Sequence, residues 1–307
     1  MDVPLRPWQL VLLAVCASVA AVGLAALVRA RTGTSPVELT RYLPAGDSVV
    51  LSIDLAALRQ AGLLDLLAGA KAVEEPEYAS FVQETGFDYR EDLDAVLACF
   101  RDKETYFLLT GRFDWTRLND YARQQRGTCW NGFCRLPAST ADRTISYFAL
   151  KPRIMALAVG RREWAVSELA PRRRRGWTGV PARPVWLSVP AAILRDSELL
   201  PAGARSFAGA LRGAERVALA MGPLDGAFEI SLDAACASAG DAARIAGDLE
   251  TATTTLRKLV AGENRTPNPA ELSGVLAAGS FSANNRRVAG RWRVERVFLE
   301  AIAGGKL

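Results

Sequence analysis

The sequence predicts an α+β fold: an N-terminal transmembrane helix followed by two tandem repeats of a module in which helices lie on an antiparallel sheet. Three observations predict it. An uncharged apolar run opens the chain, one stretch of sixteen residues recurs in the second half, and β-like runs alternate with helical periods in the same order twice.

Residues 1–7 are a short N-terminal segment, and 8–28, "WQLVLLAVCASVAAVGLAALV", form the expected anchor. Its 21 residues cover about 30 Å as a helix, enough for the hydrocarbon core of a bilayer. A cleaved signal peptide has a shorter apolar region, so a retained anchor is favoured over cleavage after Ala30. Val15 before Cys16, with apolar sequence beyond, argues against a lipoprotein. Two signals oppose each other on orientation. Arg29, Arg31 and Arg41 follow the span while Arg6 and the amino terminus precede it, which by loop charge favours a cytoplasmic domain. The cysteine pair described below favours an exported one.

After a linker at 29–40, the first module is expected over 41–170 and the second over 184–307. Residues 49–64, "VVLSIDLAALRQAGLL", match residues 185–200, "VWLSVPAAILRDSELL", at eight of sixteen positions, Leu51/Leu187 and Ser52/Ser188 among them. Each copy turns from a β-like run into a helix-like run. Next come "KETYFLLTGRFDWTRLNDYARQ" in the first half and "GAFEISLDAACASAGDAARIAGDL" in the second, where Asp114 and Asp233 have the type and place of helix N-caps. Each half then closes with two β-like runs, across Lys151-Pro152 and across Asn284-Asn285, and a terminal helix. The expected unit is strand, helix, two strands, helix, two strands, helix, with its helices on one face of the sheet. Between the halves, residues 171–183 are rich in Arg, Pro and Gly and have no apolar period, as a linker would.

Only the first half carries "GTCWNGFCRL". Asn131-Gly132 between apolar residues is the strongest short signal for a two-residue type I′ hairpin, since both positions need positive φ. Cys129 and Cys134 then face each other as a non-hydrogen-bonded pair about 4.5 Å apart, at the short end of disulfide geometry. A structural disulfide places the domain in an oxidising space; two reduced thiols packed across the turn are the alternative. Zinc lacks a second ligand pair, because Cys16, Cys99 and Cys236 are scattered and the chain has no histidine. A redox dithiol would have Cys-x-x-Cys spacing at a helix start.

The opening of the first module, "RYLPAGDSVVLSIDLAAL", placed behind an anchor, resembles uncharacterised bacterial extracytoplasmic proteins whose folded part begins with a Leu-Pro-Ala-Asp-type stretch. The resemblance covers about twenty residues plus the general architecture. It implies a location and no activity.

The lack of histidine removes Ser-His and Cys-His nucleophile pairs and histidine metal sites, and no dinucleotide fingerprint, phosphate loop or Ser-x-x-Lys occurs. No catalytic residue, cofactor or metal is assigned. An enzyme would have to work through acids, and Asp88, Asp92 and Asp94 are the candidates; their bland role is to favour a helix N-terminus. Candidate binding residues are the loop Arg172, Arg173, Arg174 and Arg175 with Trp177, and Trp186 in a cleft between the halves. "NRT" at 264–266 is set aside as a glycosylation signal.

The functional expectation is a single-pass protein of the bacterial inner membrane whose duplicated ectodomain, periplasmic or extracellular, binds or scaffolds a partner. That partner would be an envelope protein or anionic polymer, besides the bilayer around 8–28; nucleic acid fits an exported domain poorly. The alternatives are a carboxylate-dependent envelope hydrolase, and a cytoplasm-facing anchored protein binding anionic lipid through its arginine loop.

Overall fold

The structure, a computed structural model, describes residues 36–44, 47–64, 76–101, 103–171, 180–194, 207–224, 227–262 and 267–303. The expected anchor, residues 8–28, lies outside them, as do the loop Arg172–Arg175 with Trp177 and the sequon. Among the described residues no helix is long and apolar enough to cross a membrane.

Among the described residues twelve strands form one antiparallel sheet, which helices and turns cover. In chain order the strands are β1 (Val49–Asp54), β2 (Leu93–Arg101), β3 (Glu104–Gly111), β4 (Thr128–Trp130), β5 (Phe133–Pro137), β6 (Thr144–Lys151), β7 (Ile154–Gly160), β8 (Val185–Pro190), β9 (Ala214–Leu224), β10 (Ala227–Cys236), β11 (Ser280–Asn284) and β12 (Arg287–Val294). The helices are α1 (Pro36–Leu39), α2 (Leu55–Gln60), α3 (Pro76–Thr85), α4 (Tyr89–Asp92), α5 (Trp115–Gln124), α6 (Ala191–Leu194), α7 (Ala239–Gly262), α8 (Leu272–Ala277) and α9 (Arg296–Ala303).

At the centre β1 pairs antiparallel with β8, so the halves share one sheet rather than facing each other across a cleft. Outward from this pair the order is β2, β3, β7, β6 on one side and β9, β10, β12, β11 on the other. Beyond β6 the first side adds β5 and β4, the cysteine hairpin. Leu51 and Leu187, aligned in the internal sequence match, are cross-strand partners. Their neighbours cross over reciprocally, Val50 facing Ser188 and Ser52 facing Trp186.

Alternation along the strands divides the core between two faces. On one face Val50, Leu97, Cys99, Tyr106, Leu108, Ala156, Ala158 and Trp186 pack with Leu39 and Leu43 near the start and with a 3-10 helix at Ala165–Leu169. On the other, α2 and α7 cover the second half and the centre, while α5 covers the outer strands of the first half. Helical pieces therefore sit on both faces, not one as expected. The hydrophobic Leu-Pro stretch before β1 and the Ala165–Leu169 turn fill the second face because central strands such as β7 are apolar on both sides.

The strand-to-helix junctions follow local chemistry. Asp54 ends β1 and its side chain accepts a hydrogen bond from the Ala57 amide at 2.8 Å, capping α2. Asp114 caps α5 in the same way, accepting from Thr116 and Arg117. Asp233 does not cap. It lies inside β10, between Ala218 and Ala289, and pairs with Arg287 on the exposed sheet face. The helix after β10 begins later, and Ser238 takes the cap, its hydroxyl accepting from the Asp241 amide at 3.0 Å.

Candidate functional site

The disulfide Cys129–Cys134 is formed, with Cα atoms 4.1 Å apart and the two cysteines directly opposed in the β4–β5 ladder. Asn131 and Gly132 take φ of 49° and 79°, the left-handed pair that a type I′ turn needs. Both sulfurs face α5: Cys134 Sγ lies 3.2 Å from Asn119 Oδ1 and Cys129 Sγ 3.8 Å from the Asn119 carbonyl. The hairpin is thus packed against the helix that roofs the first half.

Beneath α5 is a cavity of about 860 Å³, within the range of ligand sites, about 300–1,000 Å³. Its roof is one helical stripe, Leu118, Tyr121, Ala122 and Gln125, recurring at the three- and four-residue spacing of a single face. Its floor is one sheet face, Leu109 of β3, Met155 and Leu157 of β7, Ile145 and Tyr147 of β6, and Leu136 of β5. These sit together because the ladders pair Leu109 with Met155, Tyr147 with Leu157, and Leu136 with Ile145. An aromatic group supplies further wall: Phe81 lies 5.2 Å from Tyr121 and Phe87 stacks on Phe113 at 5.3 Å. Leu109, Leu136, Ile145 and Leu157 are half-buried although they point under a helix. Their faces are turned to the cavity.

The roof is held at several points. Tyr147 donates its hydroxyl to the Leu118 carbonyl at 2.9 Å, and burial pushes its pKa up to about 12, so it stays a neutral donor. Arg117 donates to the Glu84 and Gln83 carbonyls, tying α5 to the end of α3. Trp115 donates its indole N–H to the Pro152 carbonyl at 3.0 Å. At the helix C-terminus the chain turns through Arg126, at φ 62°, into Gly127. A side chain at Gly127 would strike the carbonyls of Arg135 and Ala122 within 2.5 Å, so only glycine lets the chain leave α5 this close to β5.

Gln124, Gln125, Arg126, Pro137 and Ala138 complete the lining. Arg126 is the one charged residue among those lining the cavity, and no acid lines it.

A second cavity, of about 410 Å³, is charged. It is lined by Arg101, Lys103, Glu104, Tyr106, Arg161, Arg162 and Glu168. Much of its charge is internally matched: Arg162 pairs with Glu168 at 2.6 Å and Glu104 at 3.5 Å, and Arg161 pairs with Asp142. Burial and the nearby Glu168 carboxylate push Tyr106 up to about 12.

The acids singled out in the sequence are occupied. Asp88 caps α4, accepting from the Arg90 amide and from the Tyr78 hydroxyl, both at 2.8 Å; burial and that bond push Tyr78 up to about 12. Asp92 accepts from the Asp88 amide and pairs with Arg112. Asp94 already lies in β2 and pairs with Arg153 at 2.8 Å. The apolar segment after these acids is a strand, with a single helical turn before it. Trp186 is 2% exposed, in the core beside Ala220 and Val50, so its ring is not offered to a ligand. Among the described residues no three Cys, Asp or Glu side chains converge as a metal site would require.

Sequence reasoning missed the cavity. The signal available was the brevity of the helical period at 115–124 against the long one after Ala239. No protein-family model and no curated protein matches the chain. Among solved structures it is similar to three crystal forms of TP0453: form IV at TM-score 0.47 and 12% identity, form III at 0.49 and 11%, and form I at 0.46 and 13%. The matches cover 90%, 89% and 89% of this chain and 97% of each TP0453 chain.

Proposed function

We propose that this chain is a binding protein of the bacterial envelope, anchored by residues 8–28, whose duplicated ectodomain takes a largely apolar ligand beneath α5. The cavity carries the reading: an aromatic and aliphatic lining of about 860 Å³, roofed by a helix that is hydrogen-bonded in place and bears no acid toward it. A formed disulfide in the adjoining hairpin supports an oxidising compartment and hence an exported domain. The arrangement favours binding over hydrolysis, since Asp88, Asp92 and Asp94 serve a cap and two ion pairs.

Duplication is part of the proposal. It is supported by the two identical outward strand orders and by the reciprocal β1–β8 register around Leu51 and Leu187. On this view the β4–β5 hairpin is an addition to one copy.

The test uses the full chain in phosphatidylcholine nanodiscs with palmityl alcohol carrying a mid-chain diazirine. Photolabel should concentrate on Met155, Leu157 and Tyr147. Leu157→Trp, which fills the cavity, should lower that labelling about tenfold, the change that about 1.4 kcal/mol of binding free energy produces. Label confined to residues 8–28, or spread evenly over the surface, would overturn the proposal.

A further inference from the structure

We propose that the cavity selects a fatty carboxylate: a single alkyl chain lies between α5 and the sheet, with its carboxylate at Arg126. This rests on the reading of the cavity as an apolar-ligand site and names the ligand class.

The argument begins with charge. Arg126 is exposed, lines the cavity, and has no ion-pair or hydrogen-bond partner among the described residues. Nearly every other arginine near the roof is occupied: Arg117 holds α3, Arg123 pairs with Asp120, and Arg135 pairs with Glu163. A guanidinium offers a planar fork of donors suited to a two-oxygen anion. The neighbouring side-chain amides of Gln124 and Gln125 add donors without charge. One cation, with no acid in the lining, neutralises a carboxylate fully, whereas a dianionic phosphate would keep uncompensated charge at an apolar mouth.

Backbone geometry fixes where that cation stands. Arg126 follows the last turn of α5 in the left-handed region, and Gly127 then turns the chain against β5. The Gly127 amide donates to the Ala122 carbonyl at 2.8 Å, closing the helix end. Arg126 is therefore held by the helix terminus at the limit of the roof stripe, where polar residues replace apolar ones. Beyond that end the lining is largely apolar, Phe81, Phe113, Leu118, Met155 and Leu157 among it, and carries only the hydroxyls of Tyr121 and of Tyr147, whose proton is already given to the Leu118 carbonyl.

The experiment compares diazirine-bearing palmitate with the palmityl alcohol probe on the full chain in phosphatidylcholine nanodiscs. Natural Arg126, Arg126→Asn and Arg126→Lys are each tested; asparagine tolerates the left-handed backbone, so the exchange removes the charge with little strain. Palmitate should label the cavity about tenfold more efficiently than the alcohol, as one charge-assisted hydrogen-bonded pair would give. The preference should vanish in Arg126→Asn, persist in part in Arg126→Lys, and weaken with added salt. Equal labelling by both probes, or a palmitate preference that survives in Arg126→Asn, would overturn the head-group assignment while leaving the apolar site standing. If neither probe reaches the cavity, the functional proposal falls with it.

Discussion

In the second half of the sheet a 24-residue helix, α7, packs on the strands, while in the first half α5 has ten residues. At 1.5 Å per residue these helices run about 36 Å and about 15 Å. The sheet beneath α5 is also the wider one, extended by β5 and β4. Where the helix is long, Ala242, Ile245, Leu249 and Thr253 form a stripe with no exposed surface, closing on Ala234, Val288 and Val294. Under α5, Leu118 and Ala122 are buried with Tyr147 and Met155, but Leu109, Leu136, Ile145 and Leu157 of the floor stay half-buried. Two similar strand orders thus give a filled core and an open one. The difference lies in how much apolar surface the covering helix can reach.

The largest expected effect separates these two packings. Leu249→Ala should cost about 2–5 kcal/mol, because a fully enclosed leucine loses its transfer energy and leaves a void. Leu157→Ala, already facing open space, should cost roughly 1–2 kcal/mol, since it gives up only part of its burial and creates little new cavity. Denaturant midpoints for the two variants check this directly. Equal costs would mean that the space under α5 is closed in solution.

A second expected effect lies at alkaline pH and also sorts the halves. All six tyrosines precede the linker, and burial raises Tyr147 to about 12. Its folded pKa lies above the ordinary value near 10, so its contribution is fully present below about pH 10 and is lost as pH rises through about 12. That loss is about 2–3 kcal/mol for a shift of this size. Tyr78 and Tyr106 act in the same direction. Unfolding free energy measured across this window should fall, and Tyr147→Phe should remove part of the slope. An unchanged slope in that variant would place the alkaline loss elsewhere.

What the sequence reveals depends on whether the determining contacts are local. The hairpin is legible because Asn131-Gly132 specifies the turn and the turn specifies the Cys129–Cys134 pairing. The strand order around β1 is partly legible because the repeated stretch marks where each half starts. The cavity is not, because Leu136, Ile145 and Leu157 alternate as in any half-buried strand, and nothing local says that the short helix α5 leaves them partly uncovered. Trp186 reads as a binding aromatic in the sequence because nothing local says that Leu39, Leu43 and the Ala165–Leu169 turn cover that face. Asp94 reads in the sequence as one of the helix-favouring acids because it stands with Asp88 and Asp92 around the start of an apolar segment, but β2 has begun by Leu93.

The smallest expected effect tests the same lesson at the two helix starts. Asp114→Ala and Ser238→Ala should each cost about 1 kcal/mol, because each removes the side-chain oxygen that satisfies amides of a first helical turn. Asp233→Ala should stay within about 0.5 kcal/mol. Its contacts are an ion pair with Arg287 in which both side chains are about half exposed, and such pairs contribute little once solvent screening is counted. Thermal unfolding of the three variants gives the comparison. A cost for Asp233→Ala as large as that for Asp114→Ala would mean that β10 ends earlier and that the aspartate caps α7 after all. A negligible cost confirms that the second half delays its helix by the five residues separating Asp233 from Ser238, lengthening β10 beneath the filled core.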